Sequence, residues 1–500
     1  MTDAEEAEVV AWLEGRAERR IETGCAWVFL AGDTAFKVKK RVDLGFLDYS
    51  TLERRFWALE RELQFNRAAA SDIYRAVRKI TRAGDGRLEL EGAGATVEYA
   101  LEMRRFDEDA VLAARPWAID GDLAEALGRA VASVHARAAL RAQGGGGKAL
   151  KYTIDSNAKL LRELAPKLGR APVEALIAAT DAEYARREAL LDARREAGFA
   201  RQCHADLHLG NILLENGRPV LFDCIEFNDI LSDIDIQYDL AFLLMDLDFR
   251  RRRDAAVRVL SAYLDEGLRH FDRRLLDGLC ALPLMMAVRA GVRAHVQAHS
   301  GDLEAAGAYL EAGLRHLAPP PPRLTAVGGL SGSGKSTFAR LIAPGLGASP
   351  GAVVLRTAEA RKRLLGAAPR ASLPASAYSP AFSEEVYDSL FAAARALLDA
   401  GRAVVIDATF IQPELRGRAE ALAREAAVPF HGVWLEAAPE VLAQRIEGRE
   451  GDASDATVAT LRMQLERDVG PIGWTRVDAS GPAQDAAEAW SIAHGGSPLP

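Results

Sequence analysis

The stretch Gly328-Gly329-Leu330-Ser331-Gly332-Ser333-Gly334-Lys335-Ser336-Thr337 constrains this chain more than any other. Glycines at these spacings let backbone N–H groups turn inward around a polyphosphate, Lys335 supplies a cation, and Ser336 offers its hydroxyl to Mg²⁺. The apolar run 324–327 before it reads as a strand and 338–342 after it as the start of a helix, which is the context a phosphate-cradling P-loop needs. Gly329, Leu330, Ser331, Gly332, Ser333, Gly334, Lys335, Ser336 and Thr337 are therefore the expected nucleotide contacts, with Ser336 also a metal ligand. Such a loop belongs to a parallel sheet. The last third of the chain alternates short apolar runs, 352–355, 404–406 and 433–435, with helical stretches, as repeated βαβ units do.

With 500 residues the chain exceeds what one hydrophobic core serves and has room for about three domain-sized units. Ala318-Pro319-Pro320-Pro321-Pro322 cannot continue a helix and reads as a stiff linker over 318–322, separating 1–317 from a P-loop domain at 323–500. Within the first part, strand-like runs at 27–30 and 35–38 indicate a small α+β lobe over about 1–105, and helices dominate a second lobe over about 106–317. The glycines Gly144 to Gly147 are expected to form a flexible surface loop, since no Lys-Ser follows them. The fold class expected is thus multidomain, α+β followed by α/β.

A balance of 63 basic against 71 acidic residues, net −8, gives no electrostatic reason to expect a nucleic-acid or anionic-membrane partner. Cys25, Cys203, Cys224 and Cys280 form no CxxC pair, which argues against a structural zinc site or a disulfide framework. The acidic N-terminus and the lack of a run of about 18 apolar residues lead to the expectation of a soluble, cytoplasmic protein.

The second informative stretch is His204-Ala205-Asp206-Leu207-His208-Leu209-Gly210-Asn211, followed by two apolar runs flanking Asn216-Gly217 and ending at Asp223. Asn-Gly between such runs marks a type I′ hairpin. Pairing Glu215 with Arg218 across the turn sets Asn211 opposite Phe222, so Asn211 and Asp223 meet at the open end of the hairpin, where they can share a metal. Phosphoryl transfer needs this set: Asp206 to take the acceptor hydroxyl's proton, Asn211 and Asp223 to hold Mg²⁺ on the ATP phosphates.

Here the chain resembles the aminoglycoside phosphotransferase and choline kinase branch of the protein-kinase-like fold, whose catalytic loop reads His-Gly-Asp-x-His-x-x-Asn. Ala205 replaces the usual glycine, a tolerable change if that residue keeps an ordinary backbone conformation. The resemblance makes His204 and His208 scaffold residues rather than a zinc pair, and matches Tyr238-Asp239-Leu240-Ala241 to a segment whose Asp is structural. Asp233 and Asp235 read as helix-capping carboxylates.

A kinase-like site also needs a lysine for the phosphates and a helix carboxylate to position it. The strand period puts Lys37 and Lys39 on one face, and the family's apolar-Lys-apolar pattern favours Lys37. A helix opening with a capping box at Ser50-Thr51-Leu52-Glu53 carries Glu60 and Glu62 on opposite flanks of its apolar face, and periodicity does not choose between them. Resemblance to an Arg-Glu-Leu segment favours Glu62. The run 103–106 falls where a nucleotide hinge belongs, and Arg250 to Arg253 reads as a solvated helix start or an anionic-substrate patch.

In the P-loop domain Asp407 ends an apolar strand, as a Walker-B carboxylate holding Mg²⁺ through water would. Arg445 and Arg449, four apart beside 451–455, resemble the lid arginines of small P-loop kinases that close on transferring phosphates. The run Arg356-Thr357-Ala358-Glu359-Ala360-Arg361 occupies the place where kinases resembling zeta toxins and polynucleotide kinases carry Ser-Asp-x-x-Arg, with Ala358 at the position of their acceptor-activating Asp.

Nearly the whole chain resembles two-domain bacterial proteins that join an aminoglycoside phosphotransferase-like domain to an ATP-binding P-loop domain. That implies an ATP- and Mg²⁺-dependent kinase acting on a small hydroxylated acceptor, with a second ATP site. Two other readings stay open: a nucleotide-gated regulator or adaptor, and a P-loop kinase acting on nucleotide-type substrates.

Overall fold

The computed structural model describes residues 3–43, 47–448 and 454–494. They form two compact units: Met1–Ala118 with Ala139–Gly145 and Ala200–Ile234, and Ile119–Ala138 with Gly146–Phe199 and Asp235–Pro500.

The first unit is built on a six-stranded antiparallel sheet in the order Arg19–Glu22, Ala26–Ala31, Thr34–Lys39, Ala95–Arg104, Tyr74–Arg82, Leu88–Leu90. Alternation along these strands buries the two faces differently. Phe29, Val38, Ile80 and Ala100 face Val9 and Leu13 of the helix Asp3–Glu14, while Leu30, Ala35 and Leu101 face Leu59 and Leu63 of the helix Leu52–Ala70. That second helix starts one residue later than the capping box suggests, with Thr51 accepting from the Arg54 N–H. The hairpin Ile212–Glu215 and Arg218–Leu221 completes the unit, with Asn216 and Gly217 at φ 49° and 72° as a type I′ turn requires.

The second unit holds helical segments and a five-stranded parallel sheet in the order Val353–Arg356, Val404–Asp407, Leu324–Gly329, Phe430–Glu436, Thr475–Asp478. The central strand is buried along its whole length, which is why its sequence is continuously apolar or small. Val257, on the helix Arg253–Gly267, packs into the same core as Val327, Phe338 and Val354. The helix Ile236–Phe249 is capped by Asp235, and its Asp239 accepts from the His135 ring, whose other nitrogen meets the Tyr263 hydroxyl, each at 3.0 Å.

Two surface expectations change. Gly146 and Gly147 open the buried start of the helix Gly146–Leu168, with the Gly147 N–H donating to Asp192; Gly144 and Gly145 abut Asp233 and Ala200, so these glycines serve close approach rather than looseness. Arg250, Arg252 and Arg253 are ion-paired with Asp246, Asp254 and Asp248 at the start of the helix Arg253–Gly267, so they do not form a loose basic patch. Among the described residues one segment, Arg274–Ser300, has the length and hydropathy to cross a bilayer, and it is 78% buried within the fold.

Burial pushes the His316 imidazole down to about 4, against the opposing pull of Asp248. The ring stays neutral in the folded chain while an unfolded histidine binds a proton below about 6.5, so stability falls as the pH drops from about 6.5 towards 4, by up to about 3 kcal/mol. Thermal melting across that window should show a steeper loss for the wild type than for His316→Leu.

Candidate functional site

In the first unit the site begins at the strand Thr34–Lys39, where Lys37 lies between Val28 and Leu101 of its neighbours. Its Nζ donates to Glu62 Oε1 and to Asp223 Oδ1, both at 2.7 Å. Glu62 is fully buried and Glu60 is exposed, because the helix turns a polar stripe inward: Arg55, Glu62 and Asn66 are all buried beside Leu59. Lys39, two residues on, is buried on the same face, 2.7 Å from Glu62 Oε2 and donating to Glu226 Oε1 at 2.6 Å. The Tyr49 hydroxyl also donates to that Glu226 oxygen. Burial works against the Lys37 charge, but Asp223 and Glu62 carry its pKa well above the ordinary lysine value. Burial likewise disfavours the Asp223 carboxylate, yet Lys37 holds it below the usual range, so both are charged at neutral pH.

The residues of the 204–211 loop converge on the same place. Phe222 N–H donates to the Asn211 carbonyl at 3.1 Å, closing the hairpin mouth and setting Asp223 next to it. Asn211 Nδ2 donates to both the carbonyl and Oδ2 of Asp206, each at 2.9 Å. That leaves Asn211 Oδ1 as the atom it can offer to a cation. His204 bridges the loop: its Nε2 lies 2.8 Å from the Phe222 carbonyl and its Nδ1 accepts from the Asp206 N–H, which selects the neutral tautomer carrying its proton on Nε2. His208 Nδ1 accepts from the Gly210 N–H. The side chains of Asp206 and Asp223 remain 36% and 47% exposed, so a substrate can reach both. Asn211 Oδ1 and the Asp223 carboxylate are hard oxygen donors of the kind Mg²⁺ takes, and this donor set fits that ion.

Ala205 adopts φ 70°, the left-handed region, and not the ordinary conformation that would make its methyl harmless. Ala205→Gly should therefore stabilise the chain by about 1 kcal/mol, read as a raised denaturation midpoint. Sequence reasoning also missed Tyr74, whose hydroxyl accepts the Asp223 N–H at 3.0 Å, Asn66, which accepts the Cys224 N–H, and Glu226. Glu226 had one signal: it is a third carboxylate close behind Asp223, facing a strand with two lysines. At the hinge position Arg104 grips Glu215 through both carboxylate oxygens at 2.7 and 2.8 Å.

In the second unit the P-loop links the strand Leu324–Gly329 to the helix Lys335–Ile342, lining a cleft of about 550 Å³. Gly329 and Gly332 have φ 140° and 83°, and a Cβ on either would come within 2.6 Å of a backbone carbonyl, Leu435 or Leu442. Lys335 Nζ folds back to the Leu330 carbonyl at 2.7 Å, and the Ser331 N–H is met by Gln464. Ser336 Oγ donates to Asp407 Oδ2 at 2.6 Å. Arg356 lies against both, its Nη2 donating to Ser336 Oγ at 3.0 Å and its Nε to Asp407 Oδ2 at 3.1 Å. Thr357 and Ala358 line the cleft, whereas Glu359 turns away and pairs with Arg356 and Arg129, so it does not replace the missing acceptor base. Arg445 lines the cleft too, and its guanidinium holds the carbonyls of Ala479, Ser480 and Gly481. Arg449 lies outside the described residues.

Two protein families match this chain: the phosphotransferase enzyme family over residues 59–279 and an AAA domain over residues 324–469. Uncharacterized proteins of Mycobacterium tuberculosis and Mycobacterium bovis are each 32% identical over 488 residues, covering 93% of this chain and 92% of the relative. Among solved structures, a choline kinase from Cryptosporidium parvum aligns with 62% of this chain and 95% of its own length at 11% identity, with a TM-score of 0.42.

Proposed function

We propose, for a chain that belongs to the family of these mycobacterial proteins and joins a phosphotransferase-family domain to an AAA-family P-loop domain, that its first site transfers the γ-phosphoryl group of ATP to a hydroxyl of a small molecule. The observation that carries this reading is the convergence of Asp206, Asn211, Asp223, Lys37 and Glu62 from three separate stretches of sequence onto one partly exposed site.

The chemistry follows from those contacts. Asp206, oriented by Asn211, accepts the acceptor's hydroxyl proton as its oxygen forms a bond to the γ-phosphorus and the bond to the β-bridging oxygen breaks, releasing ADP. Lys37, fixed by Glu62, presents its ammonium to the phosphates in place of Asp223, which it holds in the structure described here. Asn211 and Asp223 would hold Mg²⁺, whose charge offsets that of the β- and γ-phosphate oxygens. The acceptor is a small hydroxylated metabolite; neither a membrane nor a nucleic acid is part of this reading.

For the P-loop half a second reading is favoured, nucleotide binding without acceptor phosphorylation, because Ala358 lines the cleft where a carboxylate would be needed and Glu359 faces elsewhere. A Mg²⁺ titration of phosphoryl transfer tests the first site. Asn211→Leu should raise the metal concentration needed for half-maximal rate by about tenfold or more, consistent with loss of one ligand. An unchanged midpoint would remove Asn211 from the metal site.

A further inference from the structure

Three residues of the P-loop unit decide how its site can be charged. Ser336 Oγ and Asp407 Oδ2 are 2.6 Å apart, closed on each other by a hydrogen bond. The same two atoms accept from Arg356, Oγ from Nη2 and Oδ2 from Nε, and Nη1 of that guanidinium donates to Glu359 Oε1 at 3.2 Å. Arg356 is 4% exposed and reaches the cleft that Lys335 and Ser336 line. A guanidinium stays protonated throughout the accessible pH range, so it cannot yield its charge to an incoming cation. Nor is it easily moved. Glu359 is itself buried and 3.8 Å from Arg129, which also donates to Asp265 at 3.0 Å, and Asp265 takes Arg363 on its other oxygen. The oxygens that would bind Mg²⁺ in a P-loop are here the acceptors of an arginine, and the donor set as folded does not fit the ion.

We infer that Arg356 is the resident cation of the P-loop site, so that this site takes a nucleoside triphosphate through the loop N–H groups, Lys335 and Arg356 with no requirement for a divalent ion. The inference rests on the reading of this loop as a nucleotide site. It separates the two sites of the chain by chemistry: the first is built from carboxylate and amide oxygens, the second carries its own positive charge. It also gives the arginine at the end of the strand Val353–Arg356 a role that the missing acceptor carboxylate at Ala358 leaves unexplained.

The test is calorimetric titration of the full-length chain with ATP, in excess Mg²⁺ and in excess EDTA, taking as the P-loop component the binding lost in Lys335→Ala. The wild-type component should keep its Kd within about threefold between the two conditions, while Arg356→Gln, lacking charged hydrogen bonds, should weaken at least about tenfold in EDTA and recover on adding Mg²⁺. Arg356→Lys, which keeps the charge without the fork, should fall between them and covers the case in which the glutamine variant does not fold. A wild-type component that weakens about tenfold or more in EDTA overturns the inference by itself and leaves the nucleotide site standing. Absence of any Lys335-dependent ATP binding in both conditions removes the nucleotide reading and the inference with it.

Discussion

Asp206→Asn should lower phosphoryl transfer to the acceptor by about a thousandfold, the scale of a lost general base, with ATP affinity changed by less than about threefold. The substitution is nearly isosteric, so the loop should keep its shape: the Asn211 amide can still donate to the residue-206 carbonyl, and His204 still meets the backbone N–H. What changes is the proton acceptor. A carboxylate on a side chain 36% exposed beside the hairpin mouth becomes an amide that cannot take a proton at neutral pH. Because binding relies on Lys37, Asn211 and Asp223, the loss should appear in kcat and not in the nucleotide Kd. Equal losses in both would point to a collapsed loop.

Glu62→Gln should have the largest effect on stability, about 3 kcal/mol, in the range for removing one partner from a buried charge cluster. Glu62 has no exposed surface, and it stands 2.7 Å from the ammonium groups of both Lys37 and Lys39. Neutralising it leaves Lys37 with Asp223 and Lys39 with Glu226. Lys37 would then be drawn further onto the Asp223 carboxylate, and transfer should fall together with melting temperature. Glu60→Gln, on the exposed side of the same helix, should change neither. The pH dependence follows the same pairs. The raised Lys37 pKa gives stability present below the unfolded lysine value and lost as the pH rises through the folded value; the depressed Asp223 pKa gives stability present above the unfolded carboxylate value and lost as the pH falls through the folded one.

Contiguous chemistry was legible in the sequence, and chemistry assembled across long separations was less so. The P-loop keeps its functional groups within a few residues and the 204–223 stretch folds its own back through one hairpin, so turn rules and spacing place them without tertiary information. The choice between Glu60 and Glu62 was not open to apolar periodicity, because the buried face of that helix carries Arg55, Glu62 and Asn66, and Phe56 is 37% exposed. Glycine count misled at 144–147, where the residues are small in order to let Asp233, Ala200 and Asp192 approach. Arg356 carried no local sign of its role, since its partners lie elsewhere in the chain, Ser336 in the helix after the P-loop and Asp407 at the end of the neighbouring strand, and the contact exists only once the parallel sheet brings them level. The positive φ of Ala205 was equally hidden: the alanine signals nothing, and only the loop's closure on His204 and Asn211 exposes the strain.

The central claim is that the first site does the phosphorylation and the P-loop site does not. It is tested most directly by incubating the chain with γ-labelled ATP and a small-molecule extract and following label into low-mass products. Wild type and Lys335→Ala should both form the same labelled product, and Asp206→Asn should form none. Labelled product from Asp206→Asn, together with its loss in Lys335→Ala, would contradict the account and move the reaction to the P-loop.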